Sequence, residues 1–205
     1  MMKQGTTRKI LYGVVLFAVS YPLLLAAWIW IKPFYGNVIG NSAIRLSAFT
    51  TGVRIKEIAI GKEKSKAELT KPVATDRGMA DVVIDLSFSI SSYTFNVPLT
   101  LSLIAALYPV AGWRFRNFIE AMVLLAAIHM LYVYSYCTYQ TLLTITNYGG
   151  QKTGAGTQLF WEFLWNFTDN MVVRFEPFLI AFYLWLRGGH KTAFRHAVDG
   201  PNQKL

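Results

Sequence analysis

Apolar residues in this chain fall in long unbroken blocks rather than at a regular spacing. Residues 10–31 carry no charge, and about 20 apolar helical residues are what a hydrocarbon core about 30 Å thick requires. Lys3, Arg8 and Lys9 precede the block, and Lys32 and Pro33 close it. Its apolar part exceeds the ~7–15 residues of a signal-peptide core and no A-x-A-like site follows, so a retained anchor is predicted. Three further blocks predict spans over 97–113, 118–139 and 170–186. The second stops at Gly112, Trp113, Arg114, Phe115 and Arg116, and so short a connection to the third predicts an antiparallel helical hairpin. The third holds Glu120 near one end and His129 near its middle; the fourth holds Arg174, Glu176 and Pro177 in its first half.

The segments between the blocks have different patterns. Within 32–96, Val82, Ile84, Leu86, Phe88 and Ile90 alternate with more polar positions, the period of a half-buried strand. A second strand begins at Gly52 and Val53, loses register near Glu57 and Ile58, and resumes at Ile60. Residues 61–78 are rich in Lys, Glu and Thr and read as a hairpin tip or mobile loop. Two strands alone are marginal in water, so a third strand, the membrane surface or a partner has to complete the sheet. Residues 34–50 continue the first helix, with Gly36 and Gly40 as weak points. Within 140–169, the glycine-rich stretch 149–156 precedes a stripe of Phe160, Phe163, Leu164 and Phe167, with Trp161 and Trp165 beside it. Tryptophan favours the headgroup level, so this segment predicts a short helix lying on the outer surface before the fourth span. The alternative is that it extends that span.

Composition agrees. Of 205 residues 54% are hydrophobic and only 15% charged, against about 25% charged in an ordinary soluble domain, and the mean hydropathy is +0.35. The fold class expected is membrane α-helical: four transmembrane helices, a small extramembrane β-containing segment between helices 1 and 2, and the short interfacial helix. The net charge of +9 raises the question of nucleic acid, and the positions of the charges answer it. Lys3, Arg8, Lys9, Arg114, Arg116, Arg187, Lys191, Arg195 and Lys204 are scattered over residues 1–9, the 113–118 turn and the tail 187–205, opposed there only by Asp199. That excess marks the cytoplasmic side, so both termini are expected in the cytoplasm and no nucleic-acid partner is expected.

Candidate chemistry is sparse. Cys137 with His129 and Arg174 contains the residue types of a thiol-dependent site. However, His129 and Cys137 are eight residues apart on one helix, about 12 Å in rise. Cys137 is therefore expected to be a small buried hydrophobe, and His129 to hydrogen-bond across a helix interface, with Tyr132 or Tyr136. Ionisable residues inside a span are costly and usually have partners. At i and i+2, Arg174 and Glu176 do not face each other, so each is assigned a separate contact. The candidate binding or partner residues are thus Arg174, Glu176, Phe88, Trp161 and Trp165, with His129 and Cys137 behind them. No catalytic residue, metal ligand set or cofactor is predicted, and Glu120 is expected to pair with the basic turn beside it.

The junction Ser91, Ser92, Tyr93, Thr94, Phe95, Asn96, Val97, Pro98, Leu99, an aromatic-rich segment leading through proline and leucine into the second span, resembles that of exosortase H-associated small membrane proteins, as does the overall layout. The resemblance implies an accessory of a protein-sorting system in the bacterial inner membrane. The function expected is a non-enzymatic accessory or structural subunit of a larger membrane assembly, with other membrane subunits and lipids as partners. Alternatives are a membrane enzyme acting on peptide or lipid at the outer surface, and an oligomeric carrier or channel subunit.

Overall fold

The first apolar block does not stop where a membrane-spanning length is reached. In the computed structural model of the chain, which describes residues 4–75, 78–111, 115–148 and 154–198, helix α1 runs over Gln4–Thr51, 48 residues. At 1.5 Å per residue this is roughly 72 Å, more than twice the thickness of a hydrocarbon core. Gly52 ends it: with φ at +65° it turns the chain so that Val53 N–H donates to Ala48 O at 3.1 Å, the closing bond of a left-handed glycine cap.

Three antiparallel strands follow, β1 (Arg54–Ile60), β2 (Lys64–Thr75) and β3 (Gly78–Ser89), in the order β1-β2-β3. The expected loss of register is a bulge between Ile55 and Glu57. The segment read as a loop is instead the central strand β2. Its outward positions are Lys64, Lys66, Glu68 and Thr70, and its inward ones include Ser65 and Ala67, small enough to hide the alternation from a hydropathy reading. Pro72 is tolerated inside β2 because β1 pairs only as far as Thr70. Its missing N–H therefore falls beyond the end of the neighbouring strand.

Helices α2 (Ile90–Thr94), α3 (Val97–Ala111), α4 (Phe115–Tyr148) and α5 (Ala155–Phe167) come next, then a π-helical segment (Thr168–Val173) and α6 (Arg174–Val198). The expected turn around Gly112, Trp113 and Arg114, most of the glycine-rich stretch after Tyr148, and the last residues of the tail lie outside the described residues. The separate surface helix is corrected: the backbone remains helical at Thr168 and at Arg174, so α5 runs through the π-helical segment into α6. No glycine or proline lies between Gly156 and Pro177 to stop it. Among the described residues, Thr7–Thr51, Ile90–Pro109 and Arg116–Tyr148 are long and apolar enough to cross a membrane. The expected fourth span, 170–186, starts inside the π-helical segment and is not one of these three.

The chain divides into two compact units. One comprises 1–28, 96–125 and 175–205. Here α1 and α3 approach closely: a Cβ added at Gly13 falls 2.7 Å from the Ala106 carbonyl oxygen. Large apolar side chains face outward, among them Leu11, Val14, Leu23, Val123, Phe178 and Phe182. Glu120 accepts from Arg116 Nε at 3.0 Å and also from Arg187, so the expected pairing with the basic turn is made by Arg116.

The other unit comprises 29–95 and 126–174 and holds the sheet. The inward face of the sheet (Ala67, Leu69, Ile84, Leu86, Phe88) packs with Ile39, Ala43 and Ile44 of α1 and Tyr132, Val133 and Cys137 of α4. α1 meets the sheet through small residues, and Gly40 lies against Ser65, Ile60 and Phe88. Thr138 donates to Ser47 at 3.1 Å, tying α4 to α1. Lys32 Nζ donates to Glu63 at 2.7 Å and to Ser91 at 2.8 Å, pinning the β1–β2 turn. The lysine bond and charge, with help from Ser91, hold the Glu63 carboxyl below its ordinary value. A depressed folded-state value means the link is intact above the ordinary carboxylate range and is lost as pH falls through the lowered value. Carboxyl NMR titration of Glu63 is expected to give a midpoint below the usual ~4.3, returning to it in Lys32→Met.

Candidate docking surface and buried polar groups

The rings of the sheet-bearing unit form one connected cluster. His129 is fully buried, and its Nδ1 is 2.7 Å from the Tyr35 hydroxyl. The contact crosses a helix interface as expected, and it is made to Tyr35 of α1. Tyr93 has its ring edge-on to His129, at 5.6 Å between centroids, and also contacts Phe88 and Tyr132. Tyr35→Phe is expected to cost about 1–3 kcal/mol, the usual penalty when a buried polar atom loses its partner, read as a lower denaturation midpoint in detergent. Cys137 is fully buried in the core. Neither group reaches solvent, so the arrangement provides packing rather than an accessible nucleophile and base.

Phe88, a candidate partner contact, is 8% exposed and belongs to the core. The apolar face of β3 is covered by the chain's own helices and is closed to a partner. Trp161 and Trp165 also turn inward. Trp161 meets Tyr134 at 5.3 Å, and Trp165 meets both Tyr132 and Tyr136 at 4.9 Å. The outward stripe of α5 is Leu159, Phe160, Phe163 and Phe167, each between 45% and 65% exposed. The same helical periodicity that marks the stripe in the sequence assigns two faces, and only packing against α4 decides which of them is buried.

Arg174 and Glu176 are separated as their spacing requires. Arg174 is exposed at the end of the π-helical segment, whereas Glu176 is fully buried in the other unit.

The outer face of the sheet is a feature that sequence reasoning missed. Register sets Glu57 opposite Glu68 and Glu68 opposite Asp85, a row of three carboxylates across three strands. Like charges directly opposite are unfavourable, and one lysine relieves them. Lys56 Nζ lies 2.6 Å from Glu68 Oε1, and the bond raises the lysine's affinity for its proton, with smaller contributions from Glu57 and Asp85. A groove of about 440 Å³ opens over this row, lined by all three carboxylates together with Ala59, Lys66 and Ser87. No local motif announces it, because residues 57, 68 and 85 become neighbours only through strand register. Among the described residues, no group of three or more histidine, cysteine or carboxylate side chains is placed to hold a metal ion.

No protein-family model, curated protein or solved structure matches this chain.

Proposed function

We propose that this chain is a non-enzymatic accessory subunit of a larger membrane protein assembly, held in the bilayer by four spans with its sheet-bearing unit on the outer side. The observation that carries this reading is where the side chains sit within that unit. The groups able to do chemistry, His129 and Cys137, are enclosed, while Leu159, Phe160, Phe163 and Phe167 form an exposed apolar stripe. Such stripes mark contact with lipid or another chain. A fourth span along α6 is supported by its outward Phe178, Leu179, Phe182, Trp185 and Leu186, an apolar surface that water would not tolerate. The basic excess at the termini supports placing both in the cytoplasm, and the layout likeness to exosortase H-associated proteins supports a role in protein sorting at a bacterial inner membrane.

After mild detergent extraction the chain is expected to migrate with other subunits, and Cys137→Ser to behave as the parent does. Migration of the chain alone counts against the subunit reading, and loss of function in Cys137→Ser favours a thiol enzyme. Reporters fused after Ala67 and after Lys204 are expected in opposite compartments, and the same compartment for both overturns the four-span topology. Arg174 is the expected polar contact of the assembly. Arg174→Leu should weaken subunit recovery, with Arg174→Lys separating a planar two-bond contact from simple charge.

A further inference from the structure

The hydrogen-bond phase of the sheet determines what its edges offer. Ile90 N–H donates to Glu63 O at 2.9 Å, on the diagonal that pairs Phe88 with Ser65 and Ile84 with Leu69. Bonded and non-bonded pairs alternate along an antiparallel ladder, so the even-numbered residues of β3 direct N–H and C=O at β2. Asp81, Val83, Asp85 and Ser87 direct theirs the other way, to an edge with no strand beyond it. The Ser87 carbonyl accepts from the Tyr136 hydroxyl at 3.0 Å. Among the described residues, the backbone groups of Asp81, Val83 and Asp85 have no strand partner. Their side chains are exposed. The edge is long, contains no proline and shows no bulge against β2, so of the devices that usually blunt an edge it keeps only the charges of Asp81 and Asp85.

Charge identifies the occupant. The whole chain carries a net +9, yet the only charged residues of β3 are Asp81 and Asp85. Asp85 also ends the carboxylate row beside the groove. A second copy adding its own β3 antiparallel about Val83 sets Asp81 opposite Asp85, the disfavoured arrangement.

We propose that this edge receives an extended segment of a partner protein with basic side chains four residues apart and an apolar one midway between them. Residues four apart share one face of a strand, so the two cations stand beside Asp81 and Asp85 and the apolar residue beside Val83. The cation beside Asp85 reaches over the groove towards Glu68. Backbone pairing provides affinity, and the alternating side chains provide selectivity, as in other cases of strand addition. The proposal rests on the accessory-subunit reading and names the chemistry of the partner.

The test uses the full chain in detergent or nanodiscs and the end-capped peptide Thr-Lys-Thr-Val-Thr-Lys-Thr, followed by fluorescence anisotropy and amide exchange. The parent is expected to bind the peptide and to gain protection at Asp81, Val83 and Asp85. Val83→Pro removes an outward N–H without touching a bond to β2, and is expected to abolish binding while circular dichroism is unchanged. Asp81→Lys with Asp85→Lys is expected to weaken binding about tenfold and to favour the Glu-substituted peptide instead. Equal binding by the parent and Val83→Pro, no effect of charge reversal, or no binding by the parent overturns the proposal. Recovery of the partner complex separates it from the reading beneath. A complex retained by Val83→Pro leaves the subunit reading standing and removes the edge; peptide binding by a chain that migrates alone does the reverse.

Discussion

Gly36→Ala is expected to destabilise the sheet-bearing unit by about 1–3 kcal/mol, the usual cost of overpacking a core. Helix propensity alone assigns that change a gain of roughly 0.5–1 kcal/mol, so the sign of the effect is the test. A Cβ at Gly36 falls 2.5 Å from Ile90 Cγ2 and 2.7 Å from its Cδ1. Ile90 is fully buried and follows directly on β3, so neither its side chain nor its backbone has room to retreat. Denaturant unfolding in detergent measures the loss, and Gly36→Ala should cost less in an Ile90→Ala background than in the parent. Gly156 is the control: no atom lies within 4 Å of its added Cβ, so Gly156→Ala should stabilise α5 by about 0.5–1 kcal/mol. Stabilisation by both substitutions means that α1 does not approach Ile90 as described.

Phe88→Asp is expected to abolish folding of the same unit while leaving membrane insertion of the chain intact. Truncating a buried phenylalanine typically costs about 3–5 kcal/mol, and an aspartate adds the penalty of an unpaired charge in an apolar site. Phe88 touches Tyr93 and Tyr136 and lies against Gly40, so the carboxylate meets three elements and no cation. Limited proteolysis should cut within β1 to β3 in this variant and spare the parent. Val83→Asp, on the exposed face of the same strand, should leave the proteolytic pattern unchanged. Phe88→Ala, which adds no charge, should fall between the two.

Much of this architecture is legible in the residues, and the illegible parts have physical causes. The alternation from Val82 to Phe88 marks β3 because one face meets the core and the other meets solvent. The break at Glu57 and Ile58 marks the bulge because an extra residue inverts the alternation. β2 escapes notice because a central strand can place Ser65 and Ala67 inward wherever α1 comes close, leaving no apolar run to detect. Gly36 and Gly40 read as weak points when helix propensity is the only criterion, yet they are where α1 can approach Ile90 and the sheet. The ring contacts of Trp161 and Trp165 with Tyr132, Tyr134 and Tyr136 escape a sequence reading because the preference of tryptophan for the headgroup level is a bulk average. Tyr35 and His129, 94 residues apart, and the Glu57, Glu68 and Asp85 row depend on tertiary register. A single sequence carries no local trace of either.

Indefinite edge-to-edge growth of a sheet requires two regular edges per copy, one to receive a strand and one to offer it. β1 is interrupted between Ile55 and Glu57, and just past its first residue β2 presents Pro72, which has no N–H to give. Only β3 keeps a regular outer ladder. Stacking of copies through alternate edges is therefore disfavoured on the β1 side. Concentrated preparations are expected to hold discrete particles rather than fibrils, even though one edge stays open.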